Sequence, residues 1–183
     1  RDYYASRGLG DVYKRQVQGA AINHYATMSD EELYQLPVAE IAADNCVLLL
    51  WATFPKLPEA LRLIEAWGFQ YKTVGFVWVK TNPSGNGFFL GLGWWTRSNA
   101  EICLLAVRGK PKRQCAGISQ LIISPRERHS KKPDIVRNLA VTLVGDVPRI
   151  ELFARETSTG WDVWGNEVDC SITLTQSEGD VHE

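Results

Sequence analysis

Cys46-Val47-Leu48-Leu49-Leu50-Trp51-Ala52-Thr53 is an unbroken apolar run, and it restricts the fold more than any other stretch of the chain. A strand with one wet face alternates polar and apolar residues, whereas a run without alternation suits a strand covered on both faces. A helical pattern follows at once. Pro55 to Trp67 places Leu57, Ala60, Leu61, Ile64 and Ala66 on or beside one stripe, and Gly68 stands where a left-handed residue would cap the helix. Tyr71 to Lys80 is rich in Val and aromatic residues and reads as a strand, as do Glu101 to Val107, Gln120 to Ile123 and Arg149 to Ala154. Pro133 to Val144 carries Ile135, Leu139 and Leu143 at helical spacing. Upstream, Ser29 and Glu32 form a capping-box signature that opens a short helix, which Pro37 stops. Strands alternating with helices predict an α/β layered fold with a mainly parallel sheet. Ligands in such folds bind beyond the carboxyl ends of strands, where the residues after Val107, Ile123 and Phe153 are expected.

The bulk numbers narrow the function classes. A chain of 183 residues is most simply one domain, large enough to bury a core without staples. No apolar run approaches the roughly 18 residues of a membrane span, and no secretory h-region precedes the first strand. Cys46, Cys103, Cys115 and Cys170 show no C-x-x-C spacing, and His24, His129 and His182 do not pair at ligand distance, so neither a disulfide framework nor a metal site is expected. A reducing cytoplasm is the simplest compartment. Net charge is −1, yet residues 108–137 hold nine basic residues against two acidic ones. A solvated surface and a phosphate-contacting edge both fit such a run. The glycines between Pro83 and Gly93 form neither a P-loop nor a complete dinucleotide fingerprint and read as a mobile loop. Hydrolase and metalloprotease motifs are also absent.

Polar residues gather after the apolar runs. Glu151 opens a strand and by itself suits a solvated start better than a ligand contact. Arg155 offers a planar fork for a carboxylate or hydroxyl. Asn166 and Glu167 place an amide and a carboxylate on one turn, donors and acceptors that suit ribose hydroxyls and an adenine edge. Lys132 precedes Pro133, a residue fit to begin a helix, and a lysine at a helix N-terminus favours an anion. Trp94 and Trp95 sit among Thr96, Arg97 and Ser98, so a base-stacking surface competes with a core role. Glu101 begins a strand and offers an acceptor for a base edge, or is a solvated end. Tyr25 gives a further ring face.

Several of these residues lie in ordered blocks: His24-Tyr25, Thr27-Met28-Ser29, Leu50-Trp51-Ala52-Thr53, Ala66-Trp67-Gly68-Phe69, Phe76-Val77-Trp78-Val79-Lys80, Trp95-Thr96-Arg97-Ser98-Asn99, His129 to Asp134, Glu151 to Arg155 and Gly160 to Glu167. In these blocks the chain resembles the MT-A70 family of adenine-N6 methyltransferases, most like its short phage and bacterial members. The resemblance implies a Rossmann-like S-adenosylmethionine-dependent methyltransferase fold with permuted motif order, incomplete at the N-terminus. It implies that Lys132, Glu151, Arg155, Asn166 and Glu167 contact S-adenosylmethionine, and that Tyr25, Trp95, Arg97, Glu101 and Ser130 border the target adenine. The implied partner is nucleic acid, DNA rather than RNA.

The Asp-Pro-Pro-Trp motif, through which the family holds the exocyclic amine, is nowhere in the 183 residues, so no catalytic residue is assigned. Residues 1–16 have no sustained period and resemble translated library-adapter sequence, which places the methyltransferase domain at 17–167 and a flexible acidic tail at 168–183. The expected function is methyl transfer to N6 of adenine, impaired in this chain. The alternative is a catalytically inactive nucleic-acid-binding partner subunit of such an enzyme.

Overall fold

The computed structural model describes residues 28–93, 95–127 and 131–174. Four strands, β1 (Cys46–Ala52), β2 (Gln70–Thr81), β3 (Ala100–Arg108) and β4 (Leu121–Pro125), form one sheet in the order β1-β3-β2-β4. Two further strands, β5 (Ile150–Leu152) and β6 (Asp162–Trp164), pair in parallel as a separate ribbon. The α/β layering follows the pattern of the sequence, but the sheet is mixed rather than mainly parallel. β3 runs antiparallel to both β1 and β2, and only β2 and β4 are parallel. The reason lies in residues 82–99, which return directly from β2 to β3. A strand joined without a helical crossover must reverse its direction.

That reversal moves one group of residues. Arg108 at the end of β3 faces Cys46 at the start of β1. The chain leaving Val107 therefore emerges at the edge opposite the carboxyl ends of β1, β2 and β4, not beside them. The basic segment is split in consequence: Arg108, Lys110, Lys112 and Arg113 follow one edge, whereas Arg126 follows β4 at the other. Arg108 is occupied by structure, donating to the carbonyls of Ala39 and Ala42.

Helices cover both faces. α1 (Asp30–Tyr34), α2 (Val38–Ile41) and α3 (Leu57–Ala66) pack on one side, α4 (Ile135–Val144) on the other. The strand period of two divides β1 between them. Leu48, Leu50 and Ala52 join Ala60, Leu63 and Ile64 of α3, while Val47, Leu49 and Trp51 join Val136, Ala140 and Val144 of α4. All seven β1 residues are buried, which is why the run does not alternate. Each fully buried Leu there contributes about 1.5–3 kcal/mol.

Local signals act as written. Both bonds of the capping box form, Glu32 N–H to Ser29 Oγ at 3.2 Å and Ser29 N–H to Glu32 Oε2 at 2.6 Å. Gly68, at φ 79°, closes α3 where a side chain would be strained. The Trp67 indole donates to the Leu33 carbonyl at 2.9 Å and ties α1 to α3. α4 starts two residues later than Pro133, with Asp134 at its cap position. The beginning of the expected tail is held: Ser171 exchanges backbone and hydroxyl hydrogen bonds with Val163, and Ile172 and Leu174 pack against the core.

Candidate functional site

On β2, the period of two places Phe76, Trp78 and Lys80 on the face covered by α4, and the first two are core residues there. β3 answers with Cys103 opposite Phe76 and Glu101 opposite Trp78. The apolar floor thus ends in two charged groups, Lys80 and Glu101, at the edge that holds the carboxyl ends of β1, β2 and β4. Glu101 is buried, and its two oxygens are taken by two lysines: Lys80 Nζ lies 2.5 Å from Oε1, and Lys132 Nζ lies 2.5 Å from Oε2. Trp78 and Trp51 meet edge to face at 6.3 Å beneath them, with Lys80 5.0 Å above the Trp78 ring and Lys132 5.9 Å from the Trp51 ring. Burial pushes the Glu101 carboxyl up. The attraction and hydrogen bonds of Lys132 and Lys80 outweigh that and hold it below the ordinary carboxylate range. The next residue on this face, Cys103, is a buried thiol pushed far up by desolvation and is inert as a nucleophile.

Lys131 and Lys132 are consecutive and serve opposite neighbours. Lys132 reaches the β2–β3 edge. Lys131 binds Glu127 and Asp134, each at 2.8 Å, and lies 3.6 Å from Glu156 just beyond β5. The hydrogen bonds to Asp134 and Glu127 push the Lys131 ammonium well up. Arg137 of α4 binds Asp134 and Glu151, both at 2.8 Å. The segment 131–137 therefore joins the end of the four-stranded sheet to the end of the β5–β6 ribbon.

Beyond β5 the chain turns sharply. Phe153 takes φ 58°, a left-handed conformation rare for an aromatic residue, and its ring packs edge-on against Trp164 at 5.3 Å. Ala154 N–H donates to the Trp164 carbonyl at 3.0 Å. Gly165 lies so close to the Ala154 backbone that a Cβ there would collide with it. These contacts place Arg155 beside the turn that carries Asn166 and Glu167, and Arg155 Nε binds Glu167 Oε1 at 2.8 Å. Asn166 is exposed. Strain of this kind, over-determined by its surroundings, is found at ligand-holding turns.

The expected site residues thus form two groups. Glu101 and Lys132 are in contact, one from the base-side set and one from the donor-side set. Asn166 and Glu167 share one turn, and Arg155 is held beside it by its ion pair with Glu167. Glu151 is not brought to that surface: it is 2% exposed and holds Arg137. A strand-opening glutamate reads as solvated until one knows that a helix covers it. The helix-dipole role given to Lys132 also changes. Its ammonium turns to Glu101, while Asp134 stands at the start of α4. Trp95 is 99% exposed and Arg97 is exposed, both on the loop between β2 and β3. Tyr25 and Ser130 lie outside the described residues. Lys80 was missed. Its signal was available, since a charge continuing the buried alternation Phe76, Trp78 has no reason to be there without a partner.

A family model described as MT-A70 matches residues 12–167. The chain belongs to the MT-A70 family. Members of this family transfer methyl groups from S-adenosylmethionine to adenine N6. Among its relatives, the Type II methyltransferase M.MunI of Mycoplasma sp is 37% identical over 163 residues, 87% of this chain and 66% of that protein. The N(6)-adenosine-methyltransferase MT-A70-like protein of Drosophila melanogaster is 29% identical over 158 residues, 84% of this chain and 26% of its own length. The catalytic subunit METTL3 of the Homo sapiens N(6)-adenosine-methyltransferase is 28% identical over 149 residues, 79% of this chain and 25% of its own length. The chain therefore spans less than two thirds of each of these relatives. Among the described residues no helix is long and apolar enough to cross a membrane, and no cluster of His, Cys, Asp and Glu could hold a metal ion.

Proposed function

We propose that this chain forms the donor- and base-holding part of an S-adenosylmethionine-dependent methyltransferase acting on N6 of adenine in nucleic acid, DNA rather than RNA. The carrying observation is the contact between Glu101 and Lys132 at the ligand edge of the sheet, which joins a residue suited to a base with one suited to an amino-acid carboxylate. The preference for DNA follows the resemblance to the short phage and bacterial members of the family, in keeping with 37% identity to the Type II methyltransferase M.MunI.

The donor set fits the group it would hold. Lys132 supplies a cation for the amino-acid carboxylate, and the Asn166 amide with the Glu167 carboxylate suits ribose hydroxyls and an adenine edge. When bound, S-adenosylmethionine supplies an electrophilic methyl group. On the base side, Glu101 is held as an anion and offers an acceptor for a base edge, and the exposed Trp95 ring offers a stacking face, with Arg97 beside it for phosphate. The order along the chain, with Glu101 before Lys132, Asn166 and Glu167, fits a permuted arrangement of motifs. An adenine in a duplex must leave its stack to reach such an edge.

The 183 residues contain no Asp-Pro-Pro-Trp, so we expect them to bind the donor weakly and to transfer methyl groups slowly or not at all by themselves. That same observation favours, as a second reading, a partner subunit that positions nucleic acid for an active copy. The test is calorimetric titration with S-adenosylmethionine, followed by transfer of labelled methyl to adenine-containing DNA and RNA strands of equal sequence. Donor binding with methyl transfer, once Asp-Pro-Pro-Trp is supplied in the same chain or by an added family member, supports the reading. Absence of donor binding at millimolar concentration ends it.

A further inference from the structure

We propose that Lys80 is a positioning residue: it holds Glu101 in place while Lys132 exchanges between Glu101 and the carboxylate of the incoming donor. This deepens the methyltransferase reading and rests on it.

The two lysines take different oxygens of one carboxylate, Lys80 on Oε1 and Lys132 on Oε2. Two ammoniums against one carboxylate leave a local excess of one positive charge at a site where all three side chains are largely buried. That excess favours a second anion. The two lysines are not equally free to meet it. Lys80 belongs to β2, and its backbone is fixed on both sides: its N–H donates to the Asn99 carbonyl at 2.9 Å, and its carbonyl accepts from Phe89 N–H at 2.9 Å. Its ammonium is further set above the Trp78 ring. Lys132 sits in the irregular segment ahead of α4, outside any strand ladder, and next to Pro133. Lys132 is therefore the one that can swing toward a new partner, and Lys80 is the one that stays.

The exchange has a consequence for the base. While Lys132 occupies Oε2, that oxygen is closed to other donors. When Lys132 turns to the donor's carboxylate, Oε2 is freed to accept from a hydrogen-bond donor of the incoming nucleotide. Donor binding thereby prepares base binding, and the two half-sites are coupled through one ammonium. Lys80 is what makes the exchange workable. A buried carboxyl that lost its only cation would take up a proton and cease to be a pure acceptor. Among the described residues, the titratable groups facing Glu101 are Lys80 from β2, Lys132 from the segment before α4, and the high-lying Cys103 thiol from β3 itself.

The experiment follows the Glu101 carboxyl by 13C NMR in the full chain, with Glu101→Gln to assign the signal and S-adenosylhomocysteine as the probe, since it carries the same amino-acid carboxylate. In the wild type, the titration midpoint should stay below the ordinary carboxylate range with and without probe. In Lys80→Met it should stay low alone and rise by about one pH unit or more once the probe saturates the protein. Lys80→Arg should behave as the wild type. Lys132→Met should show a midpoint indifferent to the probe, and bind it about tenfold or more weakly. Calorimetric binding to Lys80→Met with no change in midpoint overturns the exchange, as does wild-type probe affinity in Lys132→Met. No heat with the wild type overturns the methyltransferase reading itself, and the proposal with it. A merely structural Lys80 would lower the unfolding temperature without making the midpoint depend on the probe.

Discussion

Arg137 Nε donates to Glu151 Oε2 across 2.8 Å, fastening the first turn of α4 to β5 inside the core. The carboxylate is 2% exposed, so its charge depends on the protein for compensation. Replacing Arg137 by Met while Glu151 remains should cost roughly 3–5 kcal/mol of stability. Replacing both, Arg137→Met with Glu151→Leu, should recover most of that loss, because apolar packing removes the desolvation problem. Urea unfolding midpoints at constant slope check the pair. A single substitution costing under about 1 kcal/mol would show that the bridge contributes little.

Glu101 predicts an acid limit. Its carboxyl titrates lower in the folded chain than in the unfolded one, so the folded state binds fewer protons in that range. The stabilisation is fully present above the unfolded value, about 4.3, and is lost as the pH falls through the lower folded value. Glu101→Gln should flatten this acid-side slope and lower stability at neutral pH, where two lysines lose their shared anion. Unfolding free energies measured from pH 3 to 7 decide it: an unchanged slope would remove Glu101 from the acid response.

The layering was legible because burial leaves a period. β1 showed both faces covered, Ser29 with Glu32 marked α1, and Gly68 marked the end of α3. What the period cannot show is direction, and so β3 was placed parallel although the loop after Thr81 turns it back. β6 was missed because Asp162-Val163-Trp164 is only three residues long and flanked by turn formers. At the site, the residue types Glu101 and Lys132 could be singled out, but their contact could not, since 31 positions separate them. Glu151 carried the opposite error. Its place at a strand start suggested solvent, and only the packing of α4 shows that it is enclosed.

Gly165 predicts a localised loss of donor affinity. A Cβ at this position would meet the backbone of Ala154, where no side chain can yield. Gly165→Ala should push the turn carrying Asn166 and Glu167 away from Arg155, at about 1–3 kcal/mol. The expected outcome is weaker binding of S-adenosylhomocysteine by calorimetry with the four-stranded sheet still folding cooperatively. Affinity equal to the wild type would dissociate this turn from the donor site.

Trp95 and Arg97 predict a loss of nucleic-acid binding without a loss of stability. Trp95 is 99% exposed, so Trp95→Ala should leave the unfolding midpoint nearly unchanged. If its ring stacks on a base, the same substitution should weaken binding of an adenine-containing single strand about tenfold. Arg97→Ala should act differently, weakening all sequences alike and reducing the salt dependence of binding by roughly one counterion. Fluorescence anisotropy across a salt series separates these effects. If Trp95→Ala binds as the wild type does, the loop between β2 and β3 is not a base-stacking surface, and nucleic acid must be held by other residues along the edge that carries Glu101.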